Sequence, residues 1–267
     1  MTGRMPDAGD LALILDAATE AGRLALDLRA RGLSTEMKAD HTPVSNGDIA
    51  VDTFLKERLG RARPDYGWLS EETVDDASRH SKRRLFMVDP IDGTRAYVKG
   101  RPWFVVSIAV VEDGQPTAAV LVAPALDETY SAEVGGGAWL NGSRIHPSDR
   151  TALEGCAMLA DAPMMAHPAW RTPWPPMRVE TRNSIAYRMG LVAAGTFDAA
   201  ITLSPKSDWD LAAGALIMTE AGASVSDHKG QPLAFNTPRH QCRSLICATP
   251  ALAPLILART SPIDLPE

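Results

Sequence analysis

The 267-residue chain holds three cysteines, Cys156, Cys242 and Cys247, too few for a disulfide framework. Cys242 and Cys247 lie five apart near His240, but a zinc site needs more ligands at tighter spacing. All three read as buried thiols in or beside a strand. The six histidines form no HExxH-like cluster, so none is assigned to catalysis. No apolar run approaches the ~20 residues of a membrane-spanning helix, so no membrane partner is expected. Met1 to Asp7 contain no apolar signal core, and a cytoplasmic protein is expected. Excess positive charge is also missing. A net charge of −6 argues against a general nucleic-acid binder, which shows a basic face. The densest basic run, Arg79 to Arg84, precedes a strand and reads as a solvated loop. There is no internal repeat. What remains, 45% hydrophobic and 22% charged, is an ordinary soluble globular composition, enough for one large domain or two halves sharing a core.

One stretch organises the chain: Val88-Asp89-Pro90-Ile91-Asp92-Gly93-Thr94. The apolar run Arg84 to Val88 that feeds it reads as a buried strand, expected to stop at Asp89 because Pro90 cannot donate to a sheet ladder. Gly93 and Thr94 look like the entry to a short helical turn, where free backbone N–H groups can hold an anion. Hard cations take carboxylate and carbonyl oxygens, whereas a phosphate takes N–H groups and cations. This stretch supplies both. Alone, Asp-Pro-Ile-Asp-Gly is also a good turn sequence.

Asp10 reads as the N-cap of a long amphipathic helix, with Leu11, Leu15, Ala18, Ala25 and Leu28 at helical spacing and Gly32 as its stop. Asn46-Gly47-Asp48 reads as turn or cap chemistry before a second helix, Ile49 to Leu59. Tyr66 to Ser70 is a short strand delivering Glu71 and Glu72; adjacent residues on an extended segment point to opposite sides, so one of the two faces a site. Trp103 to Val111 and Thr117 to Val122 read as strands joined by a hairpin turn at Glu112-Asp113-Gly114-Gln115. Asn141-Gly142 is a type I′ signal, and Gly135-Gly136-Gly137 reads as structural because no helix follows it. Arg150 to Pro176, rich in Pro, Met and Trp, reads as a crossover. Beyond it, strands (Thr196 to Leu203, Ala223 to Ser226, Ser244 to Ala248) alternate with helices (Ser184 to Ala194, Asp208 to Ala221, Ala251 to Arg259), an α/β pattern. The expected organisation is an α+β half over residues 1–150 and an α/β half over 151–267. Asp210 falls in the first turn of its helix, where it can simply complement the helix dipole.

Trp68-Leu69-Ser70-Glu71-Glu72-Thr73, the central stretch, and Trp209-Asp210-Leu211-Ala212-Ala213-Gly214 together resemble the signature of the inositol monophosphatase superfamily of Mg²⁺-dependent phosphatases. The resemblance runs over roughly Lys38 to Ala248. It implies a layered α-β-α-β-α sandwich with a metal site where the halves meet. It also implies two or three Mg²⁺ ions: Glu71, Asp89 and the backbone carbonyl of Ile91 hold the first, and Asp89, Asp92 and Asp210 hold the second. Without a cation, these carboxylates would raise one another's pKa. By the same resemblance Asp48, Thr94 and Glu71 form the catalytic set. Thr94, backed by Asp48, orients the attacking water, and the N–H groups near Gly93 and Thr94 stabilise charge on the phosphate. Lys38 and Thr42-Pro43-Val44 match the family element before that Asp, whereas Asn46-Gly47 departs from the family's usual small residue and Ala. Relatives are commonly dimers, so a homodimer is expected, and lithium sensitivity with it.

The superfamily includes inositol-1-phosphatases, 3′(2′),5′-bisphosphate nucleotidases, histidinol-phosphatases and fructose-1,6-bisphosphatases. Inositol-specific members carry a Glu seven residues before the Trp-Asp aspartate, where this chain has Leu203, and Gly-Thr-Ala where it has Asn183-Ser184-Ile185. Leu203 to Asp210 and Phe104 to Ala109 look more like the nucleotidase pattern. A small phosphorylated metabolite is therefore expected, adenosine 3′,5′-bisphosphate first, with inositol 1-phosphate and histidinol phosphate as alternatives. Arg182, Ser184 and Lys206 are candidate contacts for the second phosphate or the sugar; each also reads as a solvated polar group at a loop or helix start. Some relatives act as protein partners in transcription complexes, but the complete ligand set argues against loss of catalysis.

Overall fold

The computed structural model describes residues 9–38, 42–75, 78–168 and 170–265. Met1 to Asp7, and Ala39 to His41 of the segment before Asp48, lie outside them. Helix α1 (Asp10–Arg31) stops at Gly32, whose φ of 98° favours glycine. Its buried stripe is Ile14, Ala17, Ala18, Ala21 and Ala25, in which four alanines let it lie close on the sheet; Leu11, Leu15 and Leu28 only flank that stripe. Asp10 is not the N-cap. Gly9 holds that position, and Asp10, fully buried, accepts hydrogen bonds from Arg63 Nε at 3.0 Å and Tyr66 Oη at 2.9 Å. It thus ties the start of α1 to the chain beyond the next helix. After a two-stranded hairpin, β1 (Thr35–Met37) and β2 (Pro43–Ser45), helix α2 (Asn46–Ala62) begins three residues earlier than expected. The reason is a capping box, in which Ser45 caps the helix and Asp48 returns a bond to Ser45 N.

The first sheet has seven strands, β3 (Gly67–Ser70), β4 (Arg84–Asp92), β5 (Val105–Glu112), β6 (Gln115–Ala123), β7 (Glu128–Glu133), β8 (Gly137–Leu140) and β9 (Ser143–Arg144), in that spatial order. Only the β3–β4 pair is parallel. Both hairpin turns form as read: Asp113 and Gly114 have φ of 49° and 75°, and Asn141 and Gly142 have 49° and 77°. A short helix, α3 (Thr94–Val98), links β4 to β5.

The rest of the chain supplies strands β10 (Ala157–Leu159), β11 (Arg178–Glu180), β12 (Ala199–Thr202), β13 (Lys206–Ser207), β14 (Ser224–Ser226), β15 (Gln241–Cys242) and β16 (Leu245–Ala248). It also supplies helices α4 (Ala162–Met165), α5 (Ile185–Ala193), α6 (Asp208–Ala221) and α7 (Ala253–Thr260). The second sheet runs β11-β10-β12-β16-β14; β10 is parallel to both neighbours and β16 antiparallel to both of its own. The segment Arg150 to Pro176 is therefore more than a crossover, because it contributes β10 and α4.

The layers follow from alternation along buried strands. Phe86 and Val88 of β4 face α1 and α2 with Val106, Ile108 and Val120. Leu85 and Met87 point the other way, into a cluster with Leu211 and Ile217 of α6 and Met189 of α5. That cluster continues into Ala200, Leu245 and Cys247 of the second sheet, whose far face packs Met158, Ile201 and Ile246 against Ile256 of α7. The order is α-β-α-β-α. Residue 150 separates the two sheets, but α5 and α6 lie between them and share one core with both.

Packing is close where α5 meets α6. A Cβ on Gly214 would lie 2.8 Å from Met189 Cβ and 2.6 Å from its sulfur. Gly60, on the exposed side of α2, has nothing within 4 Å of that position. Gly214→Ala is expected to destabilise the protein by about 1–3 kcal/mol through overpacking, and Gly60→Ala to stabilise it by roughly 0.5–1 kcal/mol through helix propensity. Thermal melts of the two variants should shift in opposite directions.

Candidate active site

The site forms where β3 and β4, running in parallel, reach their ends. Glu71 leaves β3 with its N–H donating to Val88 O at 3.3 Å, which sets it beside Asp89. Contrary to the sequence reading, β4 does not stop at Asp89. It runs to Asp92 through an irregularity, and pairing with β5 resumes at Asp92 and Val105. Pro90 sits inside that slip, where the ladder requires no N–H. Asp89 Oδ1 accepts from Ile91 N at 3.0 Å, a local turn that fixes its carboxylate. Asp210 arrives from the second half on the first turn of α6. Its Oδ2 accepts from Ser207 N at 2.8 Å, so it closes a capping box as well as facing the site. One carboxylate oxygen from each of Glu71, Asp89 and Asp210 lies within 4.8 Å of the others.

Asp92 is held differently. Its Oδ2 accepts from Ser184 Oγ and Ala186 N, both at 2.6 Å, at the start of α5. Thr94 follows on α3, its hydroxyl 2.9 Å from Asp48 Oδ1 and 3.2 Å from the Ile91 carbonyl. The other oxygen of Asp48 accepts from Ser45 N at 2.8 Å and Ser45 Oγ at 2.6 Å. The cap expected at Asn46-Gly47-Asp48 falls on Ser45 instead; Asp48, inside the first turn of α2, closes the capping box with one oxygen and holds Thr94 with the other. The Asn46-Gly47 departure has a cause too. A Cβ at Gly47 would lie 2.5 Å from Tyr97 Oη, and that hydroxyl donates to Ala25 O of α1 at 2.7 Å.

Crowding and burial disfavour the charges. The Asp89 carboxyl is pushed well above the usual range, by burial first and then by Glu71, Asp92 and Asp210. Asp210 is raised to about 8 by burial and then by Asp92 and Glu71. Asp92 is raised to about 6 by burial, against the opposing bonds from Ser184 and the first amides of α5. An all-oxygen donor set that brings several carboxylates together, with only Glu71 in an ion pair to a lysine, suits a hard divalent cation.

Two features of this region escaped the sequence reading. Asp52, buried one turn beyond Asp48 on α2, accepts from Ser70 Oγ and, at 2.7 Å, from Thr73 Oγ1. It clamps the turn that carries Glu71 and Glu72. The i, i+4 spacing of Asp48 and Asp52 was the available signal. Lys38 Nζ lies 2.8 Å from Glu71 and 2.7 Å from Glu72. Burial works against the Lys38 charge, but the two glutamates more than offset it. Burial raises Glu72 to about 7 despite that hydrogen bond.

A cavity of about 580 Å³ opens over the cluster, lined among others by Lys38, Gly93, Thr94, Lys206 and Asp210. Arg95, Trp209 and Gln241 also line it and were not singled out. Two predicted substrate contacts have protein partners of their own. Ser184 is fully buried, and its hydroxyl donates to Asp92 and accepts from Tyr187 N at 3.0 Å, so it positions Asp92 instead. Arg182 lies off this wall, ion-paired with Glu180 at 2.7 Å and stacked over Trp103 at 4.9 Å.

This arrangement can be set beside known proteins. The inositol monophosphatase family pattern matches residues 10–264. An inositol-1-monophosphatase of Mesorhizobium japonicum is 35% identical over 82% of this chain and 86% of its own length. A histidinol-phosphatase of Chlorobaculum parvum is 32% identical over 83% and 87%. The solved structure of Thermotoga maritima IMPase superposes with a TM-score of 0.83 at 27% identity, covering 94% of this chain and 96% of that one. Other relatives are named 3′(2′),5′-bisphosphate nucleotidase and Nus factor. With a family match over nearly its whole length and the acidic cluster in place, the chain belongs to the inositol monophosphatase family.

Proposed function

We propose that the protein is a Mg²⁺-dependent phosphomonoesterase that hydrolyses a small phosphorylated metabolite by direct attack of water, with a 3′(2′),5′-bisphosphate nucleotide such as adenosine 3′,5′-bisphosphate as substrate. The observation that carries this reading is the convergence of Glu71, Asp89 and Asp210 from three distant segments to within 4.8 Å, beside the Thr94–Asp48 pair. Glu71, Asp89 and Asp210 would hold the cation, with Asp92 and the Ile91 carbonyl able to complete two or three sites. When bound, the metal supplies positive charge for the phosphate oxygens and eases ionisation of water near neutral pH.

The chain's own residues orient the reaction. Asp48 accepts from Ser45 N and Ser45 Oγ on one oxygen and from the Thr94 hydroxyl on the other. That leaves Thr94 lone pairs to accept a hydrogen from the attacking water and fix its approach. Ser184 and the amide of Ala186 keep Asp92 from turning away. The first N–H groups of α3 have no helical partner and, with Arg95, meet developing negative charge on the phosphate. The nucleotide assignment is supported by one group on the cavity wall. Lys206 Nζ has one long contact, to Ser204 Oγ at 3.4 Å, and is available to a second phosphate. Among the described residues, no helix is long and apolar enough to cross a membrane.

Phosphate release with Mg²⁺ from adenosine 3′,5′-bisphosphate, inositol 1-phosphate and histidinol phosphate tests this reading. The bisphosphate should be preferred, and Asp89→Asn should lose at least about a hundredfold in rate; no Mg²⁺-dependent release from any of the three would end it. Lys206→Ala should raise KM for the bisphosphate about tenfold with kcat little changed, as for loss of one charge-assisted contact. An unchanged KM would remove Lys206 from the substrate site.

The raised carboxyls also set a stability prediction. Because Asp89 and Asp210 bind protons more tightly folded than unfolded, these two groups contribute stability to the cation-free protein that is fully present at acid pH. The protein loses that stability as pH rises from the ordinary carboxylate range through about 8, where Asp210 ionises. At pH 8 without divalent cation, Asp210→Asn should therefore melt about 2–4 °C higher than wild type while being inactive. Added Mg²⁺ should raise the wild-type Tm by more than the variant's. A variant Tm below wild type at pH 8 would contradict the electrostatic account.

A further inference from the structure

Glu71 has two claims on it. Its carboxylate belongs to the cluster with Asp89 and Asp210, yet it also accepts from Lys38 Nζ at 2.8 Å. The same ammonium reaches Glu72 at 2.7 Å. Glu72, with a side chain 5% exposed against 25% for Glu71, is the more deeply seated partner. The two glutamates cannot move apart freely, because Asp52 clamps the flanking Ser70 and Thr73 and Glu71 N is bonded to β4. Lys38 is the adjustable member. It follows β1, whose three residues are all exposed, and its charge rides on a flexible four-carbon arm that lines the active-site cavity.

We propose that Lys38 is an internal counter-ion of the cation site: its ammonium neutralises Glu71 when the site holds no metal, and shifts onto Glu72 alone to release Glu71 when a divalent cation enters. The proposal rests on reading Glu71, Asp89 and Asp210 as cation ligands, and it assigns Lys38 and Glu72 a positioning role rather than a catalytic one. Two consequences follow from charge alone. A unit positive charge beside Glu71 opposes a divalent cation there, so Lys38 weakens cation binding. Glu72, by giving the ammonium a place to go, lowers that cost. The two members of one ion pair should then affect cation affinity in opposite directions, whereas a pair that merely held the turn together would move it the same way when either half was removed.

Calorimetric titration of the full-length protein with Mg²⁺, and separately with Mn²⁺, measures this without reference to turnover. Lys38→Met should bind about tenfold tighter, the size expected for removing one charge a few ångström from a divalent ion in a water-accessible site. Glu72→Gln should bind several-fold weaker, and most of that loss should vanish when Glu72→Gln is made in the Lys38→Met background. Lys38→Gln is carried in parallel, so that either folded lysine variant decides the question. Equal or weaker binding by the lysine variants overturns the proposal. So does an effect of Glu72→Gln that is the same with and without Lys38. If wild type binds neither cation, the proposal falls together with the active-site reading. If wild type binds normally and the lysine variants do not tighten, only the proposal falls.

Discussion

Like charge held at close range in a buried place is the condition around which this molecule is built. Asp89, Asp92 and Asp210 are each less favourable as anions here than in water, and hydrophobic burial elsewhere must hold them together beside Glu71. The shared core of α5, α6 and both sheets does this. It fixes β4, which carries two of the carboxylates, against α6, which carries a third. A fold with separate cores would let the charges relax by moving the halves apart.

The local solution is economical. Three helices, α2, α5 and α6, begin at the site, so their partially positive ends face the acidic cluster. Asp48 and Asp210 each close a capping box, and Asp92 accepts from the cap residue and an amide of the first turn of α5. The acids proposed to serve chemistry are thus the same groups that satisfy helix termini. Their orientation is secured by bonds the helices need in any case.

Much of this was legible beforehand. Turn chemistry at Asp113-Gly114 and Asn141-Gly142, the stop at Gly32 and the full extent of α6 were readable because local conformational rules decide them. The metal-ligand candidates were readable because three motifs stood in order, although Asp210 alone said only that a helix begins there. What was missed depended on contacts remote in sequence. Asp10 looked like a cap, but its partners are Arg63 and Tyr66, more than fifty residues away. Ser184 looked like a solvated hydroxyl until Asp92, ninety-two residues earlier, was seen to occupy it. Pro90 looked like a strand terminator because a bulge that excuses a proline leaves no trace in composition.

The contact between Gly47 and Tyr97 carries an evolutionary consequence. The tyrosine hydroxyl fills the space that a side chain at 47 would need, and it is anchored to the backbone of α1. The two positions are therefore epistatic: an alanine at 47 becomes acceptable only after residue 97 has lost bulk, and the reverse order passes through a damaged intermediate. An alanine borrowed from relatives for position 47 would arrive in a background that has already spent that volume, one residue away from the aspartate that orients Thr94.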